Sequence, residues 1–217
     1  MNPPPNFNRL ARLYRWMELV SFGPWLMRCR CAFLGECCSA RHALALGDGD
    51  GRFTARLLHA NPAIRIDAVD VSQAMLETLV YRAGPYANRV CTHVADLRSW
   101  QPEKPPYDLI VSHFSLDCLT TSEVRSLATA LARAVSQGAL WIISEFAIPA
   151  GWFGWLVARP TVWALYHAFG FLTGLQVRNL PNHSAALLQA GFTLQKRRCW
   201  LGGMLTSELW SASGERD

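Results

Sequence analysis

The chain has 217 residues, of which 51% are hydrophobic and only 17% are charged. This length and composition favour one domain with a large core and with some apolar surface or an apolar pocket. The net charge is +5, but the sequence has neither a dense basic run nor a recognisable nucleic-acid-binding module. We therefore expect no nucleic-acid partner.

The first 41 residues carry six arginines against two glutamates, a net charge of +4, and the rest of the chain is almost neutral. Apolar residues recur at three- and four-residue spacing and predict helices over residues 6–34, broken at Gly23-Pro24. A basic, aromatic segment of this kind would lie on an anionic membrane or cover an acidic site. We interpret residues 1–40 as a helical N-terminal cap.

The use of proline and cysteine favours a cytoplasmic protein. Prolines at positions 3–5 and charges at Glu18, Arg28 and Arg30 interrupt any signal-peptide core. Seven cysteines are an odd number, which favours a reducing compartment. Four of them are clustered but lack the paired C-x-x-C spacing of common zinc sites, so we expect no metal there; these are Cys29, Cys31, Cys37 and Cys38.

Five apolar runs have the length and composition of buried β-strands. They cover residues 42–46, 64–70, 90–96, 107–114 and 139–146. The first predicted helix follows the first strand and stops at Asn61-Pro62, Ser72 caps the next, and Thr120 begins a capping box for a helix that ends near residue 136. Strand and helix thus alternate, which predicts a doubly wound α/β sheet.

The last part of the chain has a different pattern. A helix ends at Gly191, and two strand-like runs then flank Gly202-Gly203, a strong hairpin signal. We divide the single domain into a core over 41–146, an insertion over 147–182, and a closing helix and β-hairpin over 183–217. The expected fold is therefore a mostly parallel, seven-stranded sheet closed by an antiparallel C-terminal hairpin.

Residues 147–176 contain seven aromatic residues and a single formal charge, Arg159. Arg159-Pro160 and several glycines cut the apolar run into pieces shorter than the roughly 20 residues that a membrane span needs. We interpret the segment as two lid helices over a pocket. Contact with a membrane surface is the alternative, and a transmembrane span is a remote one.

The glycine-rich stretch Gly47-Asp48-Gly49-Asp50-Gly51 follows the first predicted strand. Arg52 stands where the dinucleotide fingerprint G-x-G-x-x-G needs its third glycine, and the G-K-[ST] of a P-loop is absent. Two aspartates would repel a phosphate. The turn therefore suits a ligand with a cationic or zwitterionic part, unless it is only a loop.

Carboxylates follow the next two strands. Asp70 ends the second strand, 19 residues after Gly51, where an acidic side chain accepts hydrogen bonds from ribose hydroxyls. Asp96 and Leu97 follow the third strand and offer a polar edge and an apolar face to an adenine. Ligands bind beyond the carboxyl ends of strands in open α/β sheets, so these groups predict one nucleoside site. Taken alone, Asp70 has a simpler interpretation as a helix cap.

The sequence resembles the class I S-adenosylmethionine-dependent methyltransferases over about residues 40–210. The resemblance rests on the succession LALGDGDGRF, IDAVDVSQAML, VADLRSW, YDLIVSHFSLD, GALWIISEF and the final AGFTLQKRRCWLGGMLTSELW. The leading FNRLARLYRWMELVSFG looks like the opening of the ubiquinone/menaquinone-biosynthesis C-methyltransferase group. Two departures are clear: Ala45 replaces an acidic residue, and HFSLDC replaces the Arg-Asn that the quinone enzymes carry after the fourth strand.

The resemblance implies S-adenosylmethionine as cofactor, with S-adenosylhomocysteine as product. It places the glycines against the methionine part, Asp70 at the ribose, Asp96 and Leu97 at the adenine, and Ser112 with His113 near the sulfonium. Asp48 would replace the acid missing at position 45. The predicted cofactor-binding residues are Gly47, Asp48, Gly49, Gly51, Asp70, Val71, Asp96, Leu97, Ser112 and His113.

Methyl transfer needs a base when the acceptor must lose a proton. His113 is the first choice and Asp117 the second, and each has an alternative role in binding the cofactor or capping a turn. Further residues that could line the acceptor pocket are Tyr14, Tyr166, His167, His183, Glu145 and Cys118. Since the flanking segments are aromatic and poor in acids, we expect a hydrophobic acceptor such as a quinone-like ring, a lipid or a thiol.

The predicted function is methyl transfer from S-adenosylmethionine to such an acceptor by a monomer or homodimer, with peripheral membrane contact as an option. Two other functions fit parts of the sequence. One is a non-catalytic protein that binds S-adenosylmethionine or S-adenosylhomocysteine in regulation or scaffolding. The other, an NAD-dependent oxidoreductase, is disfavoured by Arg52 and by the terminal hairpin.

Overall fold

A computed structural model describes residues 22–102, 106–173 and 180–213, with side chains described up to His167 and again from Leu180. The predicted helix before residue 22, and Tyr14 with it, lie outside the described residues.

Seven strands form one sheet in the order β3-β2-β1-β4-β5-β7-β6. Strands β1 to β5 pair in parallel, whereas β7 runs antiparallel to both β5 and β6. This arrangement confirms the predicted fold class. The strands are β1 (His42–Leu46), β2 (Arg65–Asp70), β3 (Val90–Val94), β4 (Tyr107–His113), β5 (Val135–Phe146), β6 (Phe192–Trp200) and β7 (Leu205–Ala212).

Two α-helices begin at the capping residues that the sequence indicated. The Ser72 side chain accepts the Met75 N–H, and Thr120 forms a capping box with Glu123. The third core helix ends at Ala132 because β5 begins at Val135, earlier than predicted. The helices are α1 (Trp25–Arg30), α2 (Arg52–Ala60), α3 (Gln73–Ala83), α4 (Thr121–Ala132), α5 (Arg159–Thr173) and α6 (His183–Gln189).

Each face of the sheet is covered by its own apolar cluster. Phe53 and Leu57 of α2 and Leu79 of α3 pack on one face, whereas Leu127 of α4 and Leu187 of α6 pack on the other. A third cluster lies over the carboxyl ends of the strands, where Phe22 and Phe146 meet Val162 of α5. The sheet is therefore wound on both faces, and the third cluster covers the edge at which ligands bind in such folds.

The break at Gly23-Pro24 is confirmed, since these residues form a turn and Gly23 has a φ of 54°. The helix after it was predicted to reach residue 34, but α1 ends at Arg30 and a 3₁₀ turn follows at Leu34–Cys37. This short α1 packs against β5, β6 and β7.

The aromatic insertion differs from the prediction of two helices. Helical structure runs from residue 152 through Arg159-Pro160 to residue 173, and residues 154–158 form a π turn. Proline removes a backbone donor and crowds the carbonyl four residues earlier, and the wider π turn just before Pro160 accommodates both effects. Gly154 packs directly on the Pro149 carbonyl, where a side chain would clash. Within the described ranges, no helix combines the length and apolarity needed to cross a bilayer.

Candidate cofactor and acceptor site

The glycine turn leaves β1 in a backbone conformation that only glycine adopts easily. Gly47, Gly49 and Gly51 have φ values of 60°, 58° and 74°. A Cβ on Gly47 would lie 2.7 Å from Ser115 Cβ, and one on Gly51 would lie 2.5 Å from Leu79 Cγ. The turn is thus fixed between the loop after β4 and helix α3, with room for backbone but not for side chains.

The two aspartates of this turn have different surroundings. The Asp48 Oδ2 atom accepts the Thr54 N–H at 2.9 Å and the Thr54 hydroxyl at 2.7 Å, whereas its buried Oδ1 atom has no hydrogen-bond partner among the described residues. Burial raises the pKa of Asp48 to about 6, although the bonds from Thr54 oppose this shift. Asp48 therefore keeps one acceptor atom for a ligand.

Asp50, in contrast, belongs to the scaffold. Its carboxylate is 2.9 Å from both the Arg52 and the Arg82 guanidinium groups, and Arg82 also donates to the Asp50 carbonyl. The sequence analysis counted both aspartates as partners of a cationic ligand. The structure assigns that possibility to Asp48, because Asp50 is already paired with two arginines.

Asp70 meets the glycine turn at the end of β2, as the strand order predicted. Its carboxylate accepts the Ser72 N–H at 2.8 Å. Burial raises the pKa of Asp70 to about 6, while backbone N–H groups of Ser72, Gly49 and Val71 oppose the shift. Val71 therefore donates its backbone N–H to Asp70. The Asp70 carboxylate caps the turn before α3 and lies close to the glycine turn.

Asp96 follows β3 but is engaged by a neighbour. Arg98 contacts both carboxylate oxygens through Nε at 2.9 Å and donates its backbone N–H at 3.0 Å. These hydrogen bonds hold the pKa of Asp96 below its usual range. A carboxylate has about four acceptor positions, so Asp96 can still accept from an amine. Leu97 packs against the buried core beside it.

Ser112 and His113 are neighbours in β4 and therefore point to opposite faces of the sheet. Ser112 is fully buried and accepts the Trp141 indole N–H at 3.0 Å. Its hydroxyl is thus part of the core. Its predicted position near the sulfonium stays a prediction.

His113 is buried against Phe53, with the two ring centroids 4.4 Å apart, and neither ring nitrogen has a partner among the described residues. Burial, with the nearby positive charge of Arg30, lowers the pKa of His113 well below its ordinary value. The ring is therefore neutral and is a weak base. Its predicted contact with the cofactor stays a prediction.

A second polar group lies after β4 and β5. Glu145 Oε1 accepts the backbone N–H of Leu116 at 3.0 Å and of Ser115 at 3.3 Å, while the buried Oε2 atom has no partner in the described structure. Asp117 accepts the Tyr166 hydroxyl of α5 at 2.7 Å. Burial raises the pKa of both carboxyl groups, and the charge of Asp117 raises the pKa of Glu145 further.

The sequence analysis considered Glu145, Asp117 and Tyr166 separately, but it did not predict that they meet. Asp117 and Tyr166 are 49 residues apart, and Glu145 is 29 and 30 residues from the backbone groups that donate to it, so no local pattern joins these residues. The other pocket candidates behave differently. His183 lies 3.2 Å from Glu208, and His167 contacts the Trp163 carbonyl on an exposed part of α5.

Aromatic rings adjoin this polar group. The Phe146 ring is 4.9 Å from Phe114 and 5.2 Å from Phe22, and the Arg30 guanidinium lies 5.3 Å from the Phe114 centroid. Phe114 has a φ of 56°, uncommon for a bulky residue, directly after β4. Arg30 is 4% exposed and its charge acts on both Asp48 and His113. Arg30 was not predicted as a site residue, because this arginine lies in a separate N-terminal helix.

Residues 43–138 match the methyltransferase-domain family. This match, which covers somewhat less than half of the chain, and the seven-stranded sheet together support a class I methyltransferase. The malonyl-[acyl-carrier protein] O-methyltransferase of Paenibacillus sp. (strain JDR-2) is 30% identical to this chain over 159 residues, which are 69% of this chain and 54% of the relative. The chain therefore spans about half the length of this curated relative.

Solved structures share the fold of this methyltransferase. An O-methyltransferase family protein from Burkholderia thailandensis has a TM-score of 0.65 at 17% identity, over 97% of this chain and 59% of the other. The N-methyltransferase NodS from Bradyrhizobium japonicum WM9, in complex with S-adenosyl-L-homocysteine, has a TM-score of 0.62 at 14% identity, over 87% and 84%. At these identities the likeness shows the fold alone.

Proposed function

We propose that the protein transfers a methyl group from S-adenosylmethionine to a hydrophobic small molecule. The observation that carries this proposal is the meeting of the glycine turn with Asp48 and Asp70 at the carboxyl ends of β1 and β2. Gly47 and Gly51 leave no room for a side chain, and the partnerless Asp48 Oδ1 atom points to a ligand with a donor or a positive charge. These groups fit the zwitterionic tail and the ribose of this cofactor.

Different residues of the chain would bind different parts of the cofactor. Asp70 would accept from the ribose, Asp48 from the ammonium group, and the buried Arg30 would pair with the carboxylate of the methionine part. Asp96 and Leu97 would hold the adenine. When bound, S-adenosylmethionine supplies an electrophilic methyl group on a sulfonium.

The base in this proposal is the carboxyl pair Asp117 and Glu145, in place of His113. Both carboxyl groups are buried, and burial raises the pKa of each, which favours the uptake of a proton. The Tyr166 hydroxyl orients Asp117, and the N–H groups of Ser115 and Leu116 orient Glu145. An acceptor that carries an O–H, N–H or S–H group would lose its proton to this pair as it attacks the methyl carbon.

Oxygen is the acceptor atom favoured by the name of the Paenibacillus relative, an O-methyltransferase. The aromatic wall formed by Phe22, Phe114 and Phe146 favours an apolar body on the acceptor. A hydrophobic acid or phenol combines both properties.

The experiment is calorimetric titration of the purified chain with S-adenosylhomocysteine and, separately, with NADH. Binding of S-adenosylhomocysteine alone is expected, and binding of NADH alone would refute the proposal. Transfer of labelled methyl from S-adenosylmethionine into a fractionated cell extract then tests the acceptor. Label is expected in the organic-soluble fraction, and label in protein or nucleic acid would contradict the hydrophobic acceptor. Tight binding without any label would favour the non-catalytic alternative.

We also propose that α5 and the π turn before it touch a lipid surface. Trp152, Trp155 and Trp163 are 73%, 69% and 60% exposed and recur along one helical stretch, with the exposed Arg159 among them. Exposed tryptophans beside a cation suit the interface of an anionic membrane. In this position the protein would receive a hydrophobic acceptor directly from the membrane.

Sedimentation with vesicles of anionic lipid tests this surface. The double variant Trp155→Ser/Trp163→Ser is expected to lose most vesicle binding, whereas Tyr81→Ser, which removes an 87% exposed aromatic on α3, should bind like the wild type. Equal binding by both variants would contradict the proposal. A change from dimer to monomer in the tryptophan variant, without vesicle binding by the wild type, would instead identify this face as a homodimer contact.

A further inference from the structure

Four side chains of the types that bind metal ions lie on one part of the sheet, on three neighbouring strands and away from the proposed cofactor site. They are His42 of β1, Asp67 of β2, and Cys91 and His93 of β3. The donor atoms of Asp67, Cys91 and His93 all lie within 4.8 Å of one another, and His42 Nε2 is 3.3 Å from Asp67 Oδ2. We call these four residues the strand cluster.

The register of the sheet places all four side chains on one face. Asp67 is paired directly with Cys91 on one side and with Leu44 on the other. His42 lies two residues before Leu44, and His93 lies two residues after Cys91, so alternation directs them to the same side as Asp67. The ligand positions are thus set by paired strands, which are rigid supports for a metal.

The charge of Asp67 is not balanced by a permanent cation. Its side chain is 7% exposed, and its ion pairs in the described part of the chain are with His42 and His93. The Tyr107 hydroxyl donates to Oδ2 at 2.8 Å. The His93 Nε2 atom is buried, lies 4.0 Å from Asp67 Oδ1, and makes no hydrogen bond to any described residue. A buried anion and an unpartnered imidazole nitrogen that face each other leave a position for a cation between them.

We propose that the strand cluster binds Zn²⁺. Two imidazoles, one thiolate and one carboxylate make a four-donor set typical of tetrahedral zinc, whereas Mg²⁺ and Ca²⁺ prefer oxygen donors alone. Zinc–ligand bonds of about 2.0–2.3 Å require the donors to approach within about 4 Å of one another. The separations among the Asp67, Cys91 and His93 donors therefore need to close by less than about 1 Å, whereas His42, 3.3 Å from Asp67 Oδ2, has to move further to become the fourth ligand. Cys91 is exposed on the edge strand β3, so the ion can enter from solvent.

The function of this ion would be structural. It would join β3 to β2 and β1, and these strands carry Asp96 and Asp70 beyond their carboxyl ends. The site does not include any group assigned to cofactor binding or proton transfer. Its test is therefore independent of whether the protein transfers a methyl group.

The experiment is titration of the reduced, metal-free full chain with Co²⁺, a spectroscopic substitute for zinc. The wild type is expected to bind one equivalent with a thiolate-to-cobalt charge-transfer band and tetrahedral d–d bands, both removed by added Zn²⁺. Cys91→Ser should lose the charge-transfer band, and His93→Gln should weaken cobalt binding at least tenfold. Cys199→Ser, which removes another exposed cysteine on β6, is the matched control and should behave like the wild type.

Thermal unfolding provides a second readout. Zn²⁺ should raise the unfolding temperature of the wild type and of Cys199→Ser but not that of Cys91→Ser. The proposal is overturned if the wild type shows no thiolate band, if Cys91→Ser keeps the band, or if zinc stabilises Cys91→Ser as much as the wild type.

Discussion

The proposed cofactor half of the site contains Asp48, Asp70 and Asp96, and the proposed acceptor half contains Asp117, Glu145 and Tyr166. The polar groups of the two halves are assembled over different distances along the chain. In the cofactor half, Asp70 bonds to a residue two positions away, Asp96 to a residue two away and Asp48 to a residue six away. In the acceptor half, Glu145 reaches across 29 and 30 residues and Tyr166 across 49. Local turns therefore build the first half, and tertiary packing builds the second.

The electrostatic design differs in the same way. Burial raises the pKa of all four carboxyl groups, but Asp48 and Asp70 accept hydrogen bonds from donors of their own turns and the following helix. Asp117 and Glu145 accept them from distant segments, and Asp117 also raises the pKa of Glu145. The first arrangement suits the binding of a zwitterion. The second suits the uptake of a proton. A substitution in one half should therefore leave the function of the other half largely intact.

The largest expected effect is on catalysis by Glu145→Gln. Glutamine can still accept the Leu116 N–H but cannot take up a proton from the acceptor, so kcat should fall by about 10²- to 10⁴-fold while the Kd for S-adenosylhomocysteine changes little. Steady-state kinetics with calorimetry measure both quantities. Glu123→Gln, at the exposed capping box of α4, is the control. An unchanged kcat in Glu145→Gln would remove the carboxyl pair from the mechanism.

Asp70→Asn should produce the next largest effect, this time on binding. Loss of a charge-assisted acceptor should weaken S-adenosylhomocysteine by about 10- to 100-fold. Because the pKa values of Asp48 and Asp70 are both about 6, affinity for the sulfonium-bearing S-adenosylmethionine should rise as pH increases through that value and the carboxylates ionise. Glu77→Gln on the exposed side of α3 is the control. Wild-type affinity in Asp70→Asn would show that the site map is wrong.

The neighbouring aspartates of the turn should respond oppositely in stability. The folded pKa of Asp48 is about 6 against an ordinary value of 3.8, so its stabilising contribution is complete below about pH 4 and is lost as pH rises through 6. Asp48→Asn should therefore stabilise the ligand-free protein at pH 7, by no more than about 2 to 3 kcal/mol. Asp50→Asn should destabilise it, because Arg52 and Arg82 lose their shared partner. Denaturant unfolding at pH 4 and pH 7 measures both, and shifts of the same sign would contradict the distinction.

The smallest expected effect belongs to Ser112→Ala. Removing the hydroxyl leaves the Trp141 indole N–H buried without its acceptor, which should cost about 1 to 2 kcal/mol of stability. S-adenosylhomocysteine affinity should not change, since Ser112 faces the core. Chemical denaturation and calorimetry on the same variant separate the two roles. Weaker cofactor binding at unchanged stability would return Ser112 to the cofactor half.

The acceptor half could not be predicted to the same depth as the cofactor half. Strand β4 is buried on both faces, so its residue pattern carries no polarity signal that distinguishes the surroundings of Ser112 from those of His113. His113 was the first choice of base by residue type, and this role stays a prediction; its buried ring nitrogens have no partner among the described residues, as is also true of Asp48 Oδ1 and Glu145 Oε2. The continuous helix through Pro160 also escaped prediction, because a π turn relieves the proline in a way that spacing does not reveal.

The sequence by itself determined the order of strands and helices, the caps at Ser72 and Thr120, the glycine turn and the carboxylate at the end of β2. These features depend on side-chain periodicity and on backbone preferences within a few residues. Only the tertiary structure decided that Asp50 pairs with Arg82, that Asp117 and Glu145 share one environment, and that the strand cluster collects donors from three strands. Pairings between distant segments follow from register and packing, and no local pattern in the sequence encodes them.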